Sequence, residues 1–218
     1  MLRKLLLLSL LVAACDSPTV PLRIYGDVYD FRIHDSHQVL RWPVGTVVHV
    51  FTVTDADATH SQYLTDAVAF GADAWNSAAI YGEVKFEVVN SVKDADVVVQ
   101  YTQAVSPVDA SGCVPSGGLG TTTFCATSDG EHLKAFPLRD GSESHVKFLV
   151  TIRSIAVTSA EDARRLVTHE LGHTLGISQH SPRPTDLMFG GTLVRDTPNE
   201  GDRVTLQVLY HTDVDITP

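Results

Sequence analysis

Basic residues are scarce in this chain of 218 residues: 16 Lys and Arg face 26 Asp and Glu, a formal net charge of −10 at pH 7. Arg3 and Lys4 lie in the first fourteen residues, so the rest of the chain carries 14 basic against 26 acidic groups, near −12. Nucleic acid needs a basic stripe, and none is present, which removes it as a partner class. Long apolar runs are missing beyond MLRKLLLLSLLVAA, and that run is far too short to span a bilayer as a mature helix. No internal repeat and no low-complexity linker interrupt the chain, which is too short for two ordinary domains. Cysteine is limited to Cys15, Cys113 and Cys125.

The basic start, the apolar run and the small residues before Cys15 read as an export signal over residues 1–14. Val12-Ala13-Ala14-Cys15 resembles the bacterial lipobox, in which the cysteine receives a lipid and becomes the mature N-terminus. That resemblance implies an extracytoplasmic lipoprotein held at a membrane through Cys15; an ordinary secretory signal ending near a cysteine is the alternative. Asp16, next to it, resembles a signal that retains some bacterial lipoproteins at the inner membrane. With Cys15 lipidated, Cys113 and Cys125 remain as an even pair in an oxidising compartment, which predicts a disulfide. Closing so short a loop stabilises a fold by roughly 3 kcal/mol in the chain-entropy account. Two free thiols binding metal are the weaker alternative, because no further cysteine lies nearby.

VGTVVHVFTV, an alternating β-branched run, predicts the first strand. From about Thr59 the period changes: Leu64, Ala67, Val68, Gly71, Ala74, Trp75 and Ala78 recur at helical three-and-four spacing, with Gly82 as a stop. VKFEVVN and ADVVVQYT come next as strands. HLKAFPL and SHVKFLVTI then read as a strand pair across the Asp-Gly turn of RDGSE. Strand, helix, strand order implies parallel pairing through a helical crossover, with one antiparallel edge from the late pair. Ser159 and Asp162 resemble a capping box for a helix from about Ala160 to Leu175, which Gly176 would close. Thr197, Pro198 and Glu200 predict a second cap, opening a short C-terminal helix.

The stretch HELGHTLGISQH, His169 to His180, carries the chemistry. Histidines four apart on a helix point the same way, so His169 and His173 can offer imidazole nitrogens to one metal ion. Glu170 lies beside them, off the coordination axis, where a carboxylate can act as general base. Gly176 permits a sharp reversal that brings a third ligand back.

HELGHTLGISQHS followed by DLMF resembles the metzincin metallopeptidases, whose pattern is HExxHxxGxxH and a methionine turn, and Ser181 after the last histidine resembles the matrixin branch. TDAVAFGADAWNSAAIYGEVKFEVV, ADVVVQY and TPNEGDRVTLQVLY are similar to matrixin segments, so the likeness spans most of the chain from about Val47 to Tyr210. It implies Zn2+ as cofactor and Met188 as an apolar floor below the site. One departure stands out: the family's third-histidine position holds Gln179, and the histidine comes one residue later. Zinc prefers imidazole to a neutral amide, so the expected ligands are His169, His173 and His180. The alternative leaves Gln179 and His180 in the loop and two histidine ligands. A cysteine-switch propeptide and a structural-zinc histidine cluster are not found. His34, His37, His49, His60, His132, His145 and His211 are scattered and read as surface or strand-face residues. Trp75 and Tyr210 read as packing residues.

The expectation is therefore an α+β, metzincin-like (zincin) domain: a twisted mixed sheet of about five strands, an active-site helix and a C-terminal helix. Residues 1–14 form a signal peptide, 15–44 an N-terminal anchor segment and 45–218 the catalytic domain. The implied function is a monomeric zinc endopeptidase acting on a protein or peptide laid along the edge of the sheet, expected at the HLKAFPL strand. Two rivals are a surface-binding lipoprotein without catalysis and a zinc amidase acting on a non-protein substrate. The intact Glu170 argues against the first; the edge-strand cleft favours extended chains over the second.

Overall fold

Valine alternation in TVVHVFT sets the first strand, β1 (Thr46–Thr52), whose Val48 and Val50 are fully buried while Val47 faces outward. The computed structural model describes residues 27–54, 58–113 and 118–218; the signal segment and Cys15 lie outside them. β1 pairs in parallel with β2 (Val84–Val89) on one side and β3 (Val97–Tyr101) on the other. β3 in turn pairs in parallel with β5 (Phe148–Ile152), which pairs antiparallel with β4 (Gly120–Thr123). The result is a mixed five-stranded sheet in the order β2-β1-β3-β5-β4, an α+β fold as expected. Every residue of β3 is buried, which is why VVVQY reads as a continuous run and not as an alternation.

The two sheet faces feed two cores. Val97, Val99, Tyr101, Phe148, Val150 and Ile152 enter the larger one, while Val98 and Leu149 point to the smaller, with Val108, Phe136, Leu138 and Val146. Over the larger core lie α1 (Ala58–Ala78), α2 (Ala160–Thr174) and α3 (Glu200–Tyr210). α1 and α2 cross closely at Gly71, where a Cβ would stand 3.0 Å from Leu171 and Thr168 side-chain atoms. Trp75 Nε1 donates to the Thr168 carbonyl at 2.7 Å and locks the crossing. Among the described residues, no helix is long and apolar enough to cross a membrane. Of the N-terminal segment, residues 27–44 supply Tyr29, Phe31, Val39, Leu40 and Trp42 to the same core.

Two expectations are corrected. Residues 132–138 do not pair with β5; His132, Leu133 and Leu138 make only isolated bridges, to Thr217, Ala126 and Val108. Leu133 packs into the larger core and Phe136 and Leu138 into the smaller, so this stretch passes from one core to the other, and Pro137 lacks a ladder N–H. The edge partner of β5 is instead GTTT, inside the cysteine loop, whose β-branched threonines suit a strand. The C-terminal helix begins two residues later than predicted. Asn199 is its cap, its side chain accepting from Asp202 N at 3.1 Å, while the Asp202 carboxylate accepts in return from Asn199 N at 2.9 Å.

Cys113 and Cys125 are disulfide-bonded, with Cα atoms 5.7 Å apart, and both pack against the smaller core. The bond closes the loop that contains β4.

Candidate metal centre

The cap of α2 agrees with the sequence pattern: Ser159 Oγ accepts from Asp162 N at 3.1 Å, and the Asp162 carboxylate takes the Thr158 and Ser159 hydroxyls. Ala163, Val167 and Leu171 bury one stripe of the helix in the core. His169 and His173, one turn apart, leave it side by side.

Each of these imidazoles is oriented by a carbonyl. His169 Nδ1 lies 2.8 Å from Leu187 O and His173 Nδ1 lies 2.6 Å from Ile177 O. A carbonyl only accepts, so each Nδ1 carries the proton and each Nε2 presents its lone pair. The two Nε2 atoms are 3.2 Å apart. Burial, and for each ring the neighbouring histidine, pushes both imidazoles down to about 4, so both are neutral at pH 7. Burial lowers His180 as well. Two lone pairs aimed at one point without a shared proton repel each other unless a cation lies between them.

His180 completes the set. Its ring stacks on His169 with centroids 5.2 Å apart and stands edge-on to His173 at 5.1 Å. One ligand atom from each of the three residues lies within 4.8 Å of the others, and among the described residues no other such group of His, Cys, Asp or Glu occurs. The reversal that returns His180 depends on Gly176, with φ +105°, where a Cβ would run into the Leu40 carbonyl. Ser181 N then donates to Met188 O at 2.7 Å, tying the residue after His180 to the methionine turn. Three neutral imidazoles, two of them fixed by carbonyls through their other nitrogen, form a donor set that suits zinc and could hold one ion.

Met188 is fully buried below α2, so close to Gly172 that a Cβ there would meet its sulfur and the Trp75 ring. Glu170, 4% exposed, carries its carboxylate to β4, where Thr122 Oγ1 donates to Oε2 at 2.7 Å. Burial raises the Glu170 carboxyl above the usual carboxylate range, against the pull of His169 and of the Thr122 hydrogen bond. Gln179 and His180 line an open cleft of about 560 Å³ with Tyr29, Asp30, His34 and His37.

His34 and His37 thus share the cleft with His180, whereas His49, His60, His132 and His211 are engaged elsewhere. His49 meets Asp96 at 3.2 Å, His132 meets Thr217, His211 turns back to Gln207 O, and His60 packs its ring near Tyr101. Trp75 is 1% exposed, and Tyr210 is buried with its hydroxyl on Leu175 O.

Sequence reasoning passed over Thr122, Gly120 and Asp202. The first two sat in a stretch read as loop, although three consecutive threonines carry a strand preference. Asp202 is fully buried and accepts from Leu187 N at 2.8 Å, Met188 N at 3.2 Å and Tyr29 OH at 2.9 Å. Its signal was a second acid beside Glu200 in the first turn of the last helix.

No protein-family model matches the chain and no curated protein matches it. Among solved structures it is similar to myroilysin, at 14% identity and TM-score 0.43 over 80% of this chain and 97% of that one. It is also similar to archaemetzincin from Methanopyrus kandleri, at 13% identity and TM-score 0.40 over 77% and 96% of the two chains. Metalloproteinase-II from Bacteroides fragilis is a third, at 12% identity and TM-score 0.40 over 84% of this chain and 56% of that one.

Proposed function

We propose that the protein is a zinc-dependent endopeptidase of metzincin type, matrixin-like in its motif, working outside the cytoplasm and anchored as a monomer through a lipid on Cys15. The observation that carries this reading is the meeting of three neutral imidazoles, His169, His173 and His180, beside the buried carboxylate of Glu170. The oxidised Cys113–Cys125 pair supports an extracytoplasmic setting.

His169, His173 and His180 would hold zinc, and Met188 would close the site from below. When bound, zinc supplies a Lewis acid that polarises a carbonyl and makes water more acidic. Glu170 accepts the proton from the attacking water and passes it to the leaving amine; its raised carboxyl brings it nearer the pH at which such transfer is efficient. β4 ends the sheet, and among the described residues no strand pairs with its side away from β5, where an extended peptide could add by main-chain pairing. That strand, and not residues 132–138, is the edge on which the substrate would lie.

Zinc per chain, measured by elemental analysis on residues 16–218, tests the reading. One zinc is expected in wild type and in Gln179→Ala, and loss of it in His180→Ala. A folded wild-type chain that takes up no zinc would sink the proposal.

A further inference from the structure

Alternation along a strand puts Gly120 and Thr122 on one face of β4, and both meet the side chain of Glu170. Thr122 Oγ1 stands 2.7 Å from Glu170 Oε2 and 3.1 Å from the Glu170 main-chain oxygen. A threonine hydroxyl has one proton, and the shorter, charge-assisted bond to the carboxylate is the stronger use of it. Next to Thr122, Gly120 leaves the space the carboxylate occupies. A Cβ there would lie 2.5 Å from Oε1 and 2.8 Å from Cγ of Glu170. At 4% exposure the carboxylate depends on protein donors for its direction, and among the described residues Thr122 is the side chain that donates to it.

The donor itself stands on a firm base. Thr122 is opposite Val150 in the antiparallel ladder, Val150 is fully buried, and the disulfide closes the loop around β4. We propose that Thr122 is the positioning residue for Glu170: its hydroxyl holds Oε2, and with Gly120 it fixes the direction in which the carboxylate offers its free lone pairs. The inference rests on the peptidase reading of Glu170. It also joins the edge expected to carry the peptide to the group expected to move the proton, so that a disordered β4 would misalign both.

The test compares Thr122→Val, which removes the donor at nearly constant shape, with Thr122→Ser, which keeps it, in the zinc-loaded chain. For cleavage of an unstructured peptide, kcat of the valine variant should fall roughly 10- to 100-fold, as for other residues that orient a catalytic group. KM should stay within about twofold of wild type, because the loss falls on the chemical step. The serine variant should recover most of the rate, and zinc content should be that of wild type in both. A valine variant at wild-type kcat, or a serine variant as slow as valine, overturns the proposal.

A second measurement does not depend on turnover. Proton NMR of the zinc-loaded wild type should show a slowly exchanging Thr122 hydroxyl proton that is absent from Thr122→Val and loses its protection in Glu170→Ala. No protected hydroxyl proton in wild type also overturns the proposal. If the zinc-loaded wild type cleaves no peptide, the peptidase reading fails, and the hydroxyl proton alone decides whether Thr122 holds Glu170. If the valine variant does not fold, the serine variant and the wild-type spectrum decide it.

Discussion

His169 Nδ1 lies 2.8 Å from the carbonyl oxygen of Leu187, the residue just before Met188. Through this bond the helix that carries two of the three imidazoles is tied to the turn beneath them, and the ring is held with Nε2 toward its partners. A second bond of the same kind, from His173 to Ile177 O, fixes the other ring. Main-chain carbonyls thus set the orientation of both helix-borne rings.

Glu170→Ala should keep one zinc per chain and lose about 10²- to 10⁴-fold in turnover, the range for removal of a general base. The three imidazoles are untouched, so metal content and rate should separate. Elemental analysis with single-substrate kinetics checks this. A variant as fast as wild type would show that Glu170 is not the base.

Asp202→Asn should destabilise the fold by about 2–4 kcal/mol, because its carboxylate accepts from four donors: Tyr29 OH, Asn199 N, Leu187 N and Met188 N. An amide would turn one acceptor into a donor facing donors. Tyr29→Phe removes one of the four bonds and should cost only about 1 kcal/mol. Denaturant unfolding of both variants checks the ordering.

Replacing Cys113 and Cys125 by serine should lower stability by roughly 3 kcal/mol and should loosen β4, which lies inside the closed loop. The zinc ligands come from α2 and the turn after it, so metal content should hold while KM for peptides rises. Unfolding curves with and without reductant, together with KM, test this.

In the metal-free chain, stability should fall as the pH drops from about 6.5 to about 4. The unfolded imidazoles of His169 and His173 take up protons near their model value of 6.5, whereas the folded ones do so only near 4. Between those values the unfolded state binds more protons, so stability rises with pH, by up to about 1.4 kcal/mol per pH unit for each imidazole. Below both values the dependence on these groups vanishes. Thermal melts of metal-free protein across that window, against His169→Gln, would reveal it; equal slopes in the two would contradict the reading.

Much of the framework was legible in local pattern. The Val-rich β1 to β3, the three-and-four spacing of α1, the Ser159 cap and the Gly176 reversal each express a short-range rule, and the structure bears each of them out. HLKAFPL misled because its apolar residues serve two different cores, a fact no strand period contains. GTTT was missed because its glycine-rich neighbours look like loop, and only β5 beside it makes a ladder.

The sequence by itself determined which side chains could do chemistry and how far apart they sit along one helix, since a four-residue interval is one turn and needs no distant partner. Only the tertiary structure decided the rest. Leu187 and Ile177 carbonyls set which nitrogens of His169 and His173 face inward, the Ser181–Met188 pairing brought His180 back to them, and β4 delivered Thr122 to Glu170. Apart from the local His173–Ile177 bond, which the turn at Gly176 makes, these contacts join residues 7 to 48 positions apart and arise from packing around a shared core, which local propensity does not encode.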